Sequence, residues 1–368
     1  MTKLLTAGPV SLRAEVAEAL ERPTMAHKGA AFEDFLLGME AKLKKAYGAQ
    51  KGEVMLLTGG GTLAVESMVF SLINPGEKVL SVSHGEFGGR MIDSMKIRGV
   101  DVTVLSEEDG RVVGEASVLE ALENSKYDTI AVVYTETSVG LTYRSIKKIA
   151  RRAKEKGMKV LIDAASALFG EDIALDRDGF DAIASCSQKC IGAPAGLAYV
   201  GLSEEAMNTI DKVQNKPRYL DLKLYRDALD KKRGVPSTPA INTMFALDRA
   251  LDVMLDIGLP EWVEMHRKRA RILYDSLPKY GYEMLVQKEE YRSNSVTAFR
   301  VPEGLTSADV ISRFYANGYG ISAGMGGLAK SVIRIGTMGD VSEEDMRRAV
   351  EIIAGDGQHE REPIEAKS

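Results

Sequence analysis

One lysine of this sequence lies in a segment whose composition favours chemistry over solvation. Lys189 stands within the run SCSQKCIGAP, residues 185–194, and no acidic residue lies within five positions on either side. A lysine among small, apolar and uncharged neighbours tends toward a lowered pKa, and its neutral amine can attack a carbonyl carbon to form a Schiff base. The ordinary alternative is a lysine that extends along the surface, which fits poorly with these neighbours.

An acidic residue follows a predicted buried strand 26 positions before this lysine. Asp163 comes directly after the apolar run 160–162. A carboxylate there is costly unless it has a partner. That partner is either the backbone of the next segment, which the carboxylate would cap, or a cation such as a protonated ring nitrogen.

Two glycine-rich segments follow other predicted strands. The run TGGGT, residues 58–62, precedes a helix whose free N–H groups can bind a phosphate, although a plain tight turn is equally consistent with it. It matches neither the dinucleotide fingerprint nor the P-loop. The run HGEFGGR, residues 84–90, places Phe87 between glycines, where its ring can either stack on a flat ligand or pack in the core.

Two further segments carry hydroxyl groups and a buried cation. The run ETSVG, residues 136–140, offers hydroxyl groups to a ligand or to a turn. The run SVIRIG, residues 331–336, places Arg334 inside an apolar strand pattern, where a guanidinium needs an anionic partner. That anion is either an internal carboxylate or a substrate carboxylate held by two parallel hydrogen bonds.

The elements that position these residues alternate between strands and helices. Seven short apolar runs are predicted as strands: Val54–Leu57, Val79–Val82, Val102–Leu105, Ile130–Tyr134, Val160–Asp163, Asp181–Ala184 and Leu197–Val200. Amphipathic helices between them indicate a mostly parallel sheet covered on both faces, with ligands at the carboxyl ends of the strands. The connection from Ala184 to Leu197 is too short for a crossover helix, so we expect one antiparallel strand.

The pattern changes after residue 245. Long helices are predicted over Asn242–Leu255 and Trp262–Leu277, and shorter strands and helices alternate up to residue 353. We therefore expect a large domain over residues 15–245 and a smaller α+β domain formed by residues 1–14 and 246–354. The polar tail, residues 355–368, is expected to be disordered.

Composition excludes several classes of protein. The chain has 48 Lys and Arg against 53 Asp and Glu, a formal charge of −5, which argues against nucleic-acid or anionic-membrane partners. No apolar stretch approaches the roughly 18 residues of a membrane span, and Gly8-Pro9 comes too early for a signal peptide. The two cysteines and four scattered histidines indicate neither a disulfide framework nor a metal site. These features predict a cytoplasmic enzyme.

In combination, these segments resemble the class V aminotransferases of fold type I, which use pyridoxal 5′-phosphate (PLP). The resemblance runs from Ala7-Gly8-Pro9 to Arg334-Ile335-Gly336, and its most specific part is SxKCxGxP around Lys189, 26 residues after Asp163. It implies an α/β fold, with a mostly parallel seven-stranded sheet in the large domain and a smaller α+β C-terminal domain.

The resemblance also implies a role for each candidate residue. Lys189 would form the Schiff base and move the proton, while Asp163 would keep the pyridine nitrogen protonated. Further cofactor contacts would come from Gly60, Gly61, Thr62, Phe87, Thr137 (with Ser138 as the alternative), Gln188 and, from the neighbouring subunit of a homodimer, Thr238. Arg334 would bind the substrate carboxylate, with Gly8 and His27 nearby.

Within the family, the resemblance favours the alanine–glyoxylate, serine–glyoxylate and serine–pyruvate branch. The run RYLDLKLY, residues 218–225, is similar to a segment that several of these enzymes share. The expected reaction moves the amino group of a small amino acid to glyoxylate or pyruvate. A 2-aminoethylphosphonate–pyruvate aminotransferase is the alternative, because an arginine suits a phosphonate equally. A cysteine desulfurase is disfavoured, because Gln188 stands where those enzymes usually have histidine.

Overall fold

The computed structural model describes residues 2–232 and 234–355, so the predicted tail beyond Gly355 lies outside the described residues. The strands are β1 (Lys3–Leu4), β2 (Glu53–Thr58), β3 (Lys78–Ser83), β4 (Asp101–Ser106), β5 (Thr129–Val133), β6 (Thr135–Glu136), β7 (Leu141–Thr142), β8 (Lys159–Asp163), β9 (Ala182–Cys186), β10 (Leu197–Leu202), β11 (Glu283–Met284), β12 (Val296–Arg300), β13 (Tyr319–Gly320), β14 (Ser322–Ala323) and β15 (Val332–Gly336). The α-helices are α1 (Ala14–Glu18), α2 (Ala30–Tyr47), α3 (Gly61–Leu72), α4 (Glu86–Ile97), α5 (Glu115–Asn124), α6 (Ile146–Glu155), α7 (Leu175–Asp178), α8 (Glu204–Ile210), α9 (Leu222–Lys232), α10 (Ile241–Ile257), α11 (Leu259–Ser276), α12 (Ser307–Ala316) and α13 (Glu343–Ala354). Within these ranges, no helix has the length and apolarity that a membrane crossing requires.

A seven-stranded sheet forms the centre of the fold, with the strand order β2-β10-β9-β8-β5-β3-β4. Strand β10 runs antiparallel to both of its neighbours, and the other pairs are parallel. The predicted mostly parallel sheet and its one antiparallel strand are confirmed. The carboxyl ends of β5, β8 and β9 consequently lie side by side at one edge of the sheet.

Except at the edge strand β4, where Val104 is 41% exposed, the apolar strands are buried on both faces of this sheet. In β5, Ile130 belongs to the hydrophobic cluster on one face, while Ala131 belongs to the cluster on the other. Val160 and Leu161 of β8 divide in the same way. Because successive side chains of a strand point to opposite faces, continuous apolar runs indicate a sheet covered by helices on both sides.

A second, four-stranded antiparallel sheet lies in the C-terminal third, in the order β11-β12-β15-β14. Its core contains Phe299 and Ile333 from the strands and Phe314 from α12, apart from the two clusters of the large sheet. Strand β1 of the N-terminal segment pairs with β13. The predicted domain boundary at residues 245–246 falls within α10, and the division of the chain into two domains stays a prediction.

Candidate active site

A cleft of about 710 Å³ lies at the carboxyl ends of the parallel strands. Most of the predicted cofactor residues line it: Gly61, Thr62, Phe87, Thr137, Asp163, Gln188 and Lys189. Side chains that the sequence did not single out for this role, including Arg90, Ser94, Ser166 and Cys186, complete the wall. The strand order brings these residues together from segments that are far apart in the chain.

Lys189 lies in the short connection between β9 and β10, directly below the N-terminal segment. Its Nζ donates a hydrogen bond to the carbonyl oxygen of Ala7. A Cβ atom on Gly8 would lie 2.7 Å from the same Nζ, so any other residue at this position would displace the lysine side chain. Burial lowers the pKa of the Lys189 amine, against the attraction of Cys186, Cys190 and Asp163 for its charge. The neutral, nucleophilic form of the amine is thereby favoured.

Asp163 ends β8 and is 6% exposed. Its Oδ1 accepts a hydrogen bond from the N–H of Ala165 at 2.9 Å, while Oδ2 accepts none from the described part of the chain. Burial raises the pKa of this carboxyl group to about 6; the Ala165 N–H opposes the shift, the charge of Glu136 adds to it, and Lys189 opposes it. Asp163 therefore does bond to the backbone of the next segment, as one of the two predicted alternatives requires, and its second oxygen remains available to a cation in the cleft.

The glycine-rich turn forms the N-terminus of α3 at one end of the cleft. Gly60 is the residue before the helix and carries no side-chain cap, and Gly61 is the first helical residue. A Cβ atom on Gly61 would lie 3.1 Å from the Sγ atom of Cys186, so the backbone is packed closely there. The amide oxygen of Gln188, which lines the same cleft, is buried and has no hydrogen-bond partner. The N–H groups of a helix N-terminus suit a phosphate group, to which Gln188 can add the donors of its amide NH2 group but not this acceptor oxygen.

The run ETSVG places one hydroxyl group at the cleft and directs the other away from it. Thr137 lines the cleft, as predicted. The hydroxyl group of Ser138, the alternative, instead donates to Oε1 of Glu136 at 2.5 Å. Sequence reasoning missed Glu136, although the signal that selected Asp163, an acid closely following a buried strand, also applies to it.

Arg334 of β15 is buried beside Thr137. Its Nε donates to the carbonyl oxygen of Ala323 at 2.7 Å, and its Nη1 donates to the carbonyl oxygen of Thr137 at 3.0 Å. No carboxylate of the described residues forms an ion pair with it, so the internal ion pair considered above is absent there. Burial lowers the pKa of this guanidinium, and the charge of Glu136 opposes the shift. A cation held only by carbonyl groups is able to bind an external carboxylate.

The groups in this cleft match the functional groups of PLP. The Lys189 amine suits an aldehyde, the unused oxygen of Asp163 suits a protonated ring nitrogen, and the N-terminus of α3 with Gln188 suits a phosphate. Phe87 also lines the wall, and the guanidinium of Arg90 lies over its ring, 4.8 Å from the ring centroid. An aromatic side chain at this place suits a flat heterocycle.

The sequence model of the family Aminotransferase class-V matches residues 14–348. This chain belongs to the class V aminotransferases. It is a PLP-dependent aminotransferase with the type I fold, and its substrates are amino acids and keto acids.

Two relatives and one solved structure illustrate the similarity. The enzyme is 33% identical to an uncharacterised aminotransferase of Methanocaldococcus jannaschii over 93% of this chain and 89% of the other. It is 27% identical to a serine–glyoxylate aminotransferase of Arabidopsis thaliana over 92% and 86% of the two chains. The structure of an aspartate aminotransferase from Thermus thermophilus superposes with a TM-score of 0.88 at 32% identity, over 96% of this chain and 98% of that one.

Five predicted site residues are not part of the cleft wall: Gly8, His27, Gly60, Thr238 and Arg334. Three of them contact or adjoin residues that are, since Gly8 lies against Lys189, Gly60 precedes Gly61, and Arg334 bonds to Thr137. His27 is half-buried in the loop before α2, and Thr238 is exposed in the loop before α10. Neither of them lines the cleft of its own chain. An exposed position is what a residue acting on the neighbouring subunit requires, and both roles stay predictions.

Proposed function

We propose that this aminotransferase moves the amino group of a small amino acid, of the alanine or serine type, to glyoxylate or pyruvate. The observation that carries the proposal is the buried guanidinium of Arg334, which has no carboxylate partner among the described residues and holds the Thr137 backbone at the cleft. Such a group binds the α-carboxylate that amino acids and 2-oxo acids share. The name of the Arabidopsis relative supports glyoxylate as the acceptor.

The residues of the cleft divide the work of the reaction. When bound, PLP supplies the electron sink that makes the hydrogen on the substrate Cα acidic. The Lys189 amine would hold the cofactor through its aldehyde and would be the base that takes the proton from the substrate Cα. Asp163 holds a proton on the ring nitrogen, and Arg334 orients the substrate through its carboxylate.

A 2-aminoethylphosphonate donor is the second candidate, because the same guanidinium suits a phosphonate. A cysteine desulfurase is disfavoured by the thiols themselves. Cys186 and Cys190 are both buried, and burial raises the pKa of the Cys186 thiol to about 12. A protonated, enclosed thiol is a poor nucleophile.

We also propose that the enzyme acts in the cytoplasm as a homodimer with an active site shared between subunits. The exposed Thr238, just before α10, supports this assembly, since it would complete the phosphate contacts of the partner's cleft.

The near-visible absorption spectrum of the purified enzyme tests the proposed substrates. Alanine, serine, aspartate and 2-aminoethylphosphonate are added in turn, followed by glyoxylate or pyruvate. A yellow band that bleaches with alanine or serine and returns with either acceptor supports the proposal. If only aspartate or only 2-aminoethylphosphonate bleaches the band, that compound is the amino donor and the proposed alanine or serine donor is wrong. Lys189→Ala serves as the control, and it should lack both the band and turnover.

A further inference from the structure

A fully buried carboxylate lies behind the cofactor cleft. Glu136, the last residue of β6, has 0% of its surface exposed. Its Oε2 accepts hydrogen bonds from the N–H groups of Phe87 and Gly88, both at 3.0 Å. Its Oε1 accepts from the N–H of Ser138 at 3.2 Å and from the Ser138 hydroxyl group at 2.5 Å. Four donors converge on the two oxygens, an arrangement that suits an ionised carboxylate.

This carboxylate replaces the missing cap of helix α4. The residue before that helix is Gly85, which has no side chain to accept from the first N–H groups. Glu136 satisfies two of those groups from a different element, and its charge complements the positive end of the helix dipole. The approach is close, because a Cβ atom on Gly85 would lie 3.0 Å from the Cγ atom of Glu136. The backbone of Phe87 is therefore fixed by Glu136 and by no side chain of its own helix.

The two residues that follow Glu136 are fixed by the same turn. The Thr137 carbonyl oxygen accepts from Arg334, and the Ser138 hydroxyl group is occupied by Glu136. The Thr137 side chain is left to face the cleft. Glu136 thus links Phe87, which it contacts through the backbone N–H, to the next residue in the chain, Thr137, whose carbonyl group binds Arg334.

We propose that Glu136 is a positioning residue for PLP, which holds the Phe87 ring and the Thr137 hydroxyl group at the distance that the cofactor ring requires. The inference concerns cofactor binding and does not depend on which amino acid is the donor. Glu136 acts through Phe87 and Thr137, and it lines no part of the cleft itself.

The dissociation constant of PLP from the apoenzyme tests this role, measured by fluorescence with Glu136→Gln. The amide turns one acceptor oxygen into a donor that opposes the N–H groups of either α4 or Ser138. We expect the dissociation constant to rise about tenfold or more, as a lost charge-assisted hydrogen bond implies.

Glu171 supplies the matched control. It is also a buried carboxylate, 4% exposed, and its partners are Arg144, Thr142 and the N–H of Asn294. It does not line the cleft. Glu171→Gln is expected to lower thermal stability while PLP binds within about twofold of the wild-type affinity. If Glu136→Gln and Glu171→Gln lose PLP affinity equally, Glu136 contributes only to the stability of the fold, and the proposal is wrong.

A double-mutant cycle with Phe87→Leu identifies the path of the effect. If Glu136 acts through Phe87, Glu136→Gln adds little to the dissociation constant of Phe87→Leu, whereas full additivity would contradict the proposal. If Glu136→Gln gives no folded apoenzyme, Ser138→Ala removes one donor to Glu136, together with the acceptor of the Glu86 N–H, and leaves the charge of Glu136 in place. A rise of about threefold in the dissociation constant then supports the proposal, and an unchanged value overturns it.

Discussion

The backbone of Gly8 lies against the amine of Lys189, so that a Cβ atom at this glycine would stand 2.7 Å from Nζ and 2.9 Å from Cδ. The carbonyl oxygen of the preceding residue, Ala7, accepts the hydrogen bond of that amine. The N-terminal segment therefore determines both the space around the Lys189 amine and its hydrogen bonding.

Replacing Gly8 with Ala should displace Lys189 and reduce turnover by at least about tenfold, because an added methyl group occupies the space of the lysine chain. Gly29→Ala is the matched control. Gly29 has nearly the same backbone angle, φ +97° against +101°, but nothing lies within 4 Å of its Cβ position. Both variants should lose stability from backbone strain, on the order of 1 kcal/mol. Similar kinetics in the two variants would disprove the steric explanation.

Asp163→Asn should stabilise the apoprotein at neutral pH and weaken its binding of PLP. Burial raises the pKa of the carboxyl group from 3.8 to about 6, so the folded state holds this proton more tightly than the unfolded chain does. The stability linked to Asp163 is fully present below pH 3.8 and is lost as the pH rises through about 6. The loss is on the order of 3 kcal/mol above pH 7.

This predicted pH dependence is tested by measuring the melting temperatures of the wild-type and Asp163→Asn apoproteins from pH 4 to pH 8. The variant should melt higher at pH 8, and its advantage should narrow as the pH falls from 6 to 4. If the difference in melting temperature does not change with pH, Asp163 has the same protonation state in the folded and the unfolded protein.

Arg334→Gln should raise the KM for amino acids and 2-oxo acids while PLP stays bound. A hydrogen bond to a charged group contributes about 1.5–3 kcal/mol, which corresponds to a 10- to 100-fold rise in KM. Arg98→Gln is the control, since Arg98 is also buried and bonded to carbonyl groups, those of Ile73, Gln214 and Asn215. None of these three residues lines the cleft, whereas Arg334 bonds to the cleft residue Thr137. Loss of PLP from Arg334→Gln at an unchanged KM would show that Arg334 is structural.

A subunit-mixing experiment tests the role of Thr238. In a heterodimer of a Thr238→Ala chain and a Lys189→Ala chain, one cleft combines an intact Lys189 with an intact Thr238 from the other subunit. That heterodimer should regain one site with wild-type PLP affinity, whereas the Thr238→Ala homodimer should bind PLP more weakly. Weak binding in every assembly would place Thr238 in its own subunit's site.

The strands and the residues at their ends could be predicted, because a buried strand appears in the sequence as a short apolar run and needs no information from distant parts of the chain. Asp163 and Lys189 each follow an apolar run, and parallel strands bring such ends to one edge. Glu136 could have been selected by the same signal as Asp163, but its capping of α4 could not be predicted, because its partners at positions 87 and 88 lie almost 50 residues away and meet it only when β5 lies beside β3. The contact between Arg334 and Thr137 spans 197 residues for the same reason. A sequence pattern predicts strands, and it does not predict their order.

The docking of the N-terminal segment on the C-terminal part of the chain has a consequence for how the protein folds during translation. Lys3 and Leu5 donate hydrogen bonds to the carbonyl oxygens of Gly318 and Gly320, and Leu5 accepts one from Gly336. The segment that contacts the Lys189 amine therefore leaves the ribosome more than 300 residues before the glycines on which it docks. A nascent chain with the whole seven-stranded sheet still lacks the strands on which the N-terminal segment docks, so we predict that the contacts of Ala7 and Gly8 with Lys189 form only after residues 318–336 have been made.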